Sequence, residues 1–383
     1  MIERNPFSCF AFIVLFGLSV LGASHAVAQG TQGVSAGTIL IGQSAALSGP
    51  AEALGREMKA GAEAYFNAVN KVGGVNGRKI KLISLDDGYE PERAKANTEK
   101  LINEQKVLAL FGYVGTPTSN ASLPIFTKEK VPFVGAFTGA QSLREPFNRY
   151  IFNVRASYFD ETEDIVRHLT SVGVKRIAVF YQNDGYGQAG LAGVERAMKK
   201  RNLELVGKAT VERNTVDVTN AVNLLSKVNA SAIIQISAYK SCAAFIKAMQ
   251  KGGFPAQYWN VSFVGSKALA TELGEEGRGV QISQVVPFPW AAEIPIVAEY
   301  QQAIGGPETY SFTSLEGYIA AKVLVEGMRK AGKNLNRESL ITGLTAIGAT
   351  DFGGYRIRYT PDNHNGSSFV DLTILSKDGK FKR

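Results

Sequence analysis

Residues 107–117 read Val-Leu-Ala-Leu-Phe-Gly-Tyr-Val-Gly-Thr-Pro, and this stretch decides the fold class. Residues 107–111 form a short, continuous apolar run, which is typical of a strand that is buried on both faces of a parallel sheet. We expect a helix after Pro117 and a further strand at residues 131–134. Strand, helix and strand in this order make up one unit of a parallel α/β sheet.

The same alternation extends to both sides of this unit. The predicted strands lie at residues 38–43, 80–85, 107–111 and 131–134 in a first set, and at 177–181, 203–211, 232–236 and 280–286 in a second set. Strands that are separated by single helices imply parallel sheets with right-handed crossovers. The sequence therefore predicts an α/β fold with two doubly wound parallel-sheet lobes.

Two features toward the C-terminus complete the layout. The segment Pro287-Phe288-Pro289 breaks both patterns and is a candidate hinge crossing between the lobes. Residues 354–359 and 369–376 are expected to form an antiparallel pair. In open parallel sheets, ligands bind beyond the carboxyl ends of the strands, so two facing lobes can enclose a ligand that hinge closure then buries.

The first 28 residues have the pattern of a removable export signal. Arg4 supplies a charged start, residues 10–21 form an apolar stretch, and Ala26-Val27-Ala28 fits the small-residue cleavage pattern. We expect cleavage after Ala28 and release of a soluble protein into the periplasm, since no later stretch suits a membrane span. Removing 28 of the 383 residues leaves 355, which predicts two domains.

Composition and charge exclude several classes of function. The chain has 45% apolar and 20% charged residues and a net charge of +8, as in an ordinary globular protein. It contains no run of five or more like charges, so nucleic-acid binding is not expected. Cys242 is the only cysteine after the signal, so no internal disulfide can form, and we expect it to be a small buried residue.

The sequence offers few parts for an enzyme. After the signal, the only histidines are His168 and His364, and neither has a second ligand at metal-binding spacing. Nucleophile-elbow and phosphate-loop motifs are absent, so we expect no catalysis, no metal and no cofactor. Residues 185–190 match GxGxxG, but three residues intervene after the strand and Asp184 would repel a pyrophosphate. A dinucleotide enzyme is therefore not favoured.

Several segments together resemble one known family. They are Leu47-Ser48-Gly49-Pro50, residues 68–77 (AVNKVGGVNG), Asp86-Asp87, residues 112–116 (GYVGT) and residues 183–187 (NDGYG). Their order and spacing resemble the leucine/isoleucine/valine-binding family of periplasmic proteins that serve ABC importers. The resemblance implies a type I periplasmic binding fold with a multi-strand hinge. We expect residues 29–155 and 287–350 in lobe 1, and 156–286 and 351–383 in lobe 2.

The resemblance also implies a ligand site between the lobes. By position, Thr116 would contribute a hydroxyl, and Ala136 and Thr138 would contribute a main-chain group and a second hydroxyl from lobe 1. Tyr186 and Tyr239 would cover the ligand from lobe 2. Hydroxyl and amide donors at helix N-termini suit a carboxylate, and tyrosines add apolar area and a hydrogen bond.

One position departs from the family pattern. The family's amino-acid binders carry an acidic residue for the ligand ammonium where Ser262 stands here, and residues 256–270 contain no Asp or Glu. Glu316 could substitute for it. Without such a substitute the ligand would lack an amine, and an aromatic or aliphatic carboxylic acid becomes an alternative. Three aromatic residues could line its pocket: Phe137, Tyr113 and Phe288.

The resemblance thus implies the solute-binding component of an ABC importer. Its ligand would be a branched-chain type of amino acid or a related small carboxylate, and its partner would be a membrane permease. A monomer is expected. An exported sensor that passes its ligand-bound shape to a membrane receptor would use the same fold and cleft, and the sequence leaves this alternative open.

Overall fold

The computed structural model describes residues 1–2 and 32–383. The predicted export signal and its cleavage site lie outside these residues, apart from Met1 and Ile2. Among the helices that the structure describes, none is both long enough and apolar enough to cross a membrane.

The first sheet is parallel throughout and has the strand order β2-β1-β3-β4-β5. Its strands are β1 (Thr38–Ala45), β2 (Lys79–Asp86), β3 (Ala109–Phe111), β4 (Phe133–Val134) and β5 (Ile151–Phe152). The apolar run at 107–111 is fully buried, as a strand covered by helices on both faces must be. The four strands predicted in this half are confirmed.

The second sheet has the order β14-β13-β10-β9-β8-β6-β7. Its parallel strands are β6 (Ile177–Gln182), β7 (Gly207–Val211), β8 (Ala232–Ile236), β9 (Gln257–Asn260) and β10 (Gln281–Gln284). The chain then forms a separate antiparallel pair, β11 (Ala349–Asp351) and β12 (Arg356–Arg358), before β13 (Asp371–Leu375) and β14 (Phe381–Lys382) extend the second sheet with antiparallel strands.

Helices connect the strands. They are α1 (Glu52–Lys71), α2 (Pro91–Asn103), α3 (Thr116–Lys128), α4 (Tyr158–Ser171), α5 (Gly185–Lys199), α6 (Thr219–Leu225), α7 (Tyr239–Lys251), α8 (Ser266–Leu273), α9 (Pro295–Ile304), α10 (Phe312–Ala331) and α11 (Arg337–Thr345). Helix α10 returns to pack on α1, where a Cβ on Gly61 would lie 1.7 Å from the carbonyl oxygen of Ser314. We call the first sheet with α1–α3 and α9–α11 the first lobe, and the second sheet with α4–α8 the second lobe.

Three chain segments cross between the lobes. They follow β5, β10 and β11, and the buried hydroxyl of Tyr355 holds them together. It lies 3.1 Å from the carbonyl oxygen of Val154 and 3.0 Å from that of Val285. The hinge is therefore multi-stranded, as expected, and the boundaries predicted at 155/156, 286/287 and 350/351 stay a prediction.

The prediction that residues 354–359 pair with 369–376 was wrong. Strand β12 pairs with β11, and β13 pairs with β10 and β14. An alternating pattern marks a half-buried strand, but it does not identify the partner strand.

Candidate functional site

Two hydroxyls meet where strands of the first lobe end. Helix α3 begins at Thr116 just after β3, and Thr138 follows β4. Their Oγ1 atoms are 2.6 Å apart and both side chains are buried. Gly115, at the N-cap of α3, has a φ of +103°, and a Cβ there would lie 2.2 Å from the Tyr89 ring. A glycine therefore permits both the turn and the close approach of that ring.

Tyrosines of the second lobe face these hydroxyls. Thr138 Oγ1 lies 3.2 Å from the hydroxyl of Tyr158 at the start of α4. The Tyr158 ring is 5.3 Å from the ring of Tyr186, measured between centroids. A Cβ on Gly185 would lie 3.8 Å from Thr116 Cγ2, so the turn before Tyr186 contacts the first lobe directly. The lobes are therefore closed on one another at this point.

Aromatic rings from both lobes surround the tyrosines. Phe263 is at the centre, with ring-centroid distances of 4.5 Å to Tyr186, 5.3 Å to Phe137 and 5.9 Å to Tyr89. Phe137 and Tyr89 belong to the first lobe, while Tyr186 and Phe263 belong to the second. These four rings and Tyr158, which we call the ring cluster, give the interface apolar area and tilted ring–ring contacts.

Tyr186 carries a polar group that the protein leaves unsatisfied. Its hydroxyl is fully buried and has no hydrogen-bond partner among the described residues. Burial raises the pKa of Tyr186 well above its usual range, so the phenol stays protonated and remains a donor. A buried hydroxyl without a protein partner is uncommon in folded proteins, and this one is available to donate to a water molecule or to a ligand.

The backbone around Tyr186 is fixed by packing and by a cap. Asp184 accepts a hydrogen bond of 2.9 Å from the Tyr186 N–H and caps α5. A Cβ on Gly187 would lie 1.8 Å from the carbonyl oxygen of Gln182, and one on Gly190 would lie 2.5 Å from Ile236. The glycines of the GxGxxG match therefore serve close helix–strand packing here.

A buried ion cluster adjoins the ring cluster. The Arg155 guanidinium lies 2.8 Å from Glu161 Oε1 of the second lobe and 3.5 Å from Glu316 Oε1 of the first lobe. It also donates to the hydroxyl of Ser262 and lies 5.3 Å from the centroid of the Phe137 ring. Arg155, Glu161 and Glu316 each expose at most 5% of their side chains. The cluster therefore spans both lobes in a water-poor setting.

The electrostatics of this cluster follow from burial. Burial raises the pKa of Glu316 to about 7, although the charge of Arg155 opposes the shift. Burial alone would lower the pKa of Arg155, but Glu316 and Glu161 raise it, so the guanidinium stays charged. The second oxygen of Glu161 accepts hydrogen bonds from the Ser262 N–H (2.8 Å) and the Ser283 hydroxyl (2.6 Å).

The remaining predicted residues take separate places. The Ala136 carbonyl accepts a hydrogen bond of 2.9 Å from the Thr138 N–H, and the Ala136 side chain packs in the core of the first lobe. Tyr239 begins α7, and its hydroxyl faces the backbone of Ala53 at the start of α1. Thus Thr116, Thr138 and Tyr186 lie close together at the interface between the lobes. Ser262 and Glu316 belong to the adjoining ion cluster, where both contact Arg155.

Of the three aromatic candidates, only Phe137 joins the ring cluster. Tyr113 bonds to Thr98 and packs on Phe133 in the core. Phe288 lines an open surface cavity of about 630 Å³ together with Trp290, and none of the predicted site residues lines that cavity. Tyr113 and Phe288 therefore lie away from the ring cluster.

Polar contacts also join the lobes beside the ring cluster. Arg213 lies 2.9 Å from Glu90 of the first lobe and 3.2 Å from Asp184 of its own lobe. Asn214 donates to Glu90 (2.7 Å) and to the carbonyl oxygen of Gly88 (3.1 Å). We call these contacts the interlobe clasp.

The sequence did not reveal Arg155, Glu161 or Phe263. Glu161 lies in the first turn of α4, where an acidic residue ordinarily serves the helix dipole at the surface. Arg155 lies in a crossing segment, and its contact with Ser262 joins residues 107 positions apart. The only sign of Arg155 and Glu161 in the sequence was that both charged residues lie close to the predicted lobe boundary at 155/156.

Histidine and acidic side chains do not assemble a metal site in the part of the chain that the structure describes. His364 stacks on Phe152 with a ring-centroid distance of 3.8 Å, and His168 lies 5.2 Å from the Trp259 ring. Both histidines thus have packing roles.

Known proteins resemble the chain over nearly all of its length. A family model described as "Periplasmic binding protein" matches residues 38–380. The "Leu/Ile/Val-binding protein homolog 7" of Brucella abortus (strain 2308) is 24% identical over 382 residues, with 94% of each chain covered.

Solved structures are similar as well. A possible leucine/isoleucine/valine-binding protein from Rhodopirellula baltica SH 1 has a TM-score of 0.86 and 34% identity, covering 93% of this chain and 97% of that chain. A solute-binding protein of an ABC transporter from R. palustris, in complex with benzoate, has a TM-score of 0.81 and 17% identity, covering 90% and 95%. The second likeness shows the fold alone.

Proposed function

The chain belongs to the periplasmic binding protein family, and from this premise we propose that it is the solute-binding component of an ABC importer. It is exported by cleavage after Ala28 and works in the periplasm. There it captures a small carboxylate between its lobes and presents the closed form to a membrane permease. An amino acid of the branched-chain type and a related carboxylate without an amine are the two ligand classes to distinguish.

One observation carries the proposal: the buried Tyr186 hydroxyl has no partner at the place where both lobes close. The paired hydroxyls of Thr116 and Thr138 lie across the same interface. These hydroxyls and the N–H groups in the first turn of α3 can donate hydrogen bonds to a ligand carboxylate. The site therefore does not need a solvent-exposed cation to bind it. The ring cluster supplies apolar area for the rest of the ligand.

Binding follows from the two-lobed geometry. In the open form the ligand docks on the first lobe, where Thr116 and Thr138 receive its carboxylate. Rotation about the three crossing segments then brings Tyr186 over the ligand. Because the permease recognises the closed form, the ligand acts by binding that form more tightly than the open one.

A thermal-shift screen of the refolded protein tests this proposal, since refolding strips any carried ligand. The panel pairs amino acids with carboxylic acids of the same carbon skeleton. A ligand at 100 times its Kd adds about 2.7 kcal/mol to the free energy of unfolding, which is easily measured. Thr138→Ala should abolish most of the shift, whereas Thr170→Ala, on the outer part of α4, should leave it intact. Equal shifts in both variants would show that the site is elsewhere.

A further inference from the structure

Arg155 occupies both of the buried carboxylates that it contacts. It lies 2.8 Å from Glu161 and 3.5 Å from Glu316, and the other oxygen of Glu161 is taken by Ser262 and Ser283. The nearby carboxylate of Asp160 is engaged too, because it accepts hydrogen bonds from the backbone and hydroxyl of Ser157. Each of these three carboxylates therefore already has a protein partner that a ligand ammonium would have to share or displace.

Several buried polar groups in the described part of the chain have no hydrogen-bond partner. Arg155 Nε, the Tyr186 hydroxyl and the Ser119 hydroxyl in the first turn of α3 are buried without partners. A carboxylate can accept from all three. The two hydroxyls could also accept from an ammonium group, so Arg155 Nε, which only donates, is the group that discriminates between the two. Three buried amide oxygens also lack partners, those of Asn153, Gln235 and Asn260, and the last two residues are paired in register across β8 and β9.

Two buried arginines lie at or near the ring cluster. The Arg155 guanidinium lies over the rings of Phe137 and Tyr158 at 5.3 and 5.8 Å from their centroids, so it borders the ring cluster itself. A second buried arginine, Arg144, donates to the carbonyl oxygens of Arg155 and Ala156. Because Glu161 and Glu316 lie against Arg155 and offset its charge, the preference rests on the unpartnered Nε donor of Arg155 rather than on net charge.

We infer that this cleft selects carboxylates that carry no ammonium group and that have an aromatic body, with Arg155 as the residue that sets this specificity. Arg155 Nε donates to the ligand carboxylate, and the guanidinium keeps Glu161 and Glu316 from receiving an amine. The aromatic body packs against rings of the ring cluster when the cleft closes on it, since offset and tilted contacts favour another ring. This inference rests on the proposed carboxylate-binding function.

Isothermal titration of the refolded wild-type protein with matched ligand pairs tests the inference. The pairs are 3-phenylpropanoate against phenylalanine and 4-methylpentanoate against leucine, which differ only by the amine. Each acid should bind about 100-fold or more tightly than its amino acid, because burying an unpaired charge is costly. The aromatic acid should bind more tightly than the aliphatic one.

The outcomes separate the inference from the proposed function. Equal or tighter binding of the amino acids overturns the inference and leaves the proposed function standing. Binding of neither member of either pair overturns the proposed carboxylate site and the inference with it.

Substitution of Arg155 tests the residue assignment. Arg155→Lys keeps the positive charge but removes the Nε donor, so affinity for the preferred acid should fall about 10-fold while amino acids stay weak. Arg167→Lys, on the exposed face of α4, is the matched control and should change nothing. If Arg155→Lys folds with an unaltered far-ultraviolet spectrum and binds the acid as wild type does, Arg155 does not contact the ligand.

Discussion

Glu90→Ala should weaken ligand binding without weakening the fold. Glu90 is the first-lobe side of the interlobe clasp, where it contacts Arg213 at 2.9 Å and Asn214 at 2.7 Å. These contacts join the two lobes, so they exist when the cleft is closed and are lost when it opens. A contact that is present only in the closed form adds to the apparent affinity of any ligand that closes the cleft.

The magnitude follows from the exposure of the pair. Arg213 and Glu90 expose 23% and 42% of their side chains, and a partly exposed ion pair of this kind contributes about 0.5–1 kcal/mol. The charged hydrogen bond from Asn214 adds about 1 kcal/mol. Together they predict a rise in Kd of about 10- to 30-fold.

Titration calorimetry and thermal unfolding of the ligand-free protein check this prediction together. The ligand is the acid that gives the largest thermal shift in the panel above. Glu92→Ala removes the same charge from the first turn of α2 at an exposed position and is the control. An unchanged Kd for Glu90→Ala, or an equal loss in Glu92→Ala, would refute the reasoning. A large fall in the ligand-free Tm would also refute it, because the clasp would then stabilise the fold itself.

Three further substitutions test other parts of the structure. Burial raises the pKa of Glu316 from 4.5 to about 7, so the folded protein holds this proton more tightly than the unfolded chain does. The resulting stabilisation of the fold is complete below about pH 4.5 and is lost as the pH rises through about 7. Urea unfolding at about pH 5 and about pH 8 should therefore show wild type losing stability relative to Glu316→Gln; parallel profiles would contradict this. Tyr355→Phe leaves two buried hinge carbonyls without their donor and should lower the free energy of unfolding by about 1–2 kcal/mol, again by urea unfolding. A change within experimental error would mean that the hydroxyl does not secure the crossing segments. Gly187→Ala places a methyl group 1.8 Å from a backbone oxygen and should cost about 1–3 kcal/mol, whereas Gly37→Ala, with no atom within 4 Å, should be neutral. Similar unfolding midpoints for these two variants would contradict the packing role of Gly187.

The strand–helix alternation was predictable because buried parallel strands leave a strong trace in the sequence. The run at residues 107–111 is apolar at every position since helices cover both faces of β3. The partner of β12 was not predictable, because the pattern of its three residues does not indicate which strand they pair with. Pairing of short strands is decided by the path of the chain in space.

Part of the candidate site was predictable and part was not. Thr116, Thr138 and Tyr186 follow strand ends, where a resemblance in loop sequence can locate them. Arg155 and Glu161 act through contacts with residues far away in the chain, such as Ser262. Local patterns cannot register a contact of that kind.

Glu316 shows the same limitation for a residue that the sequence had already proposed for the site. The sequence suggested it as a partner for a ligand amine, and the structure places it in the cleft. There its carboxylate lies 3.5 Å from Arg155, a residue that the sequence had not connected with it. A residue's role in a buried cluster depends on its partners as much as on its position.

In the proposed closed form, the ligand accepts a hydrogen bond from the Tyr186 hydroxyl inside the cleft. The most direct test is the affinity of Tyr186→Phe for the best acid, measured by calorimetry alongside the Tm of the ligand-free protein. Removing an unpartnered buried hydroxyl should leave the ligand-free Tm unchanged or raise it, while affinity falls about 10-fold or more because a hydrogen bond to a charged group is lost. An unchanged affinity would contradict the claim and move the ligand away from Tyr186.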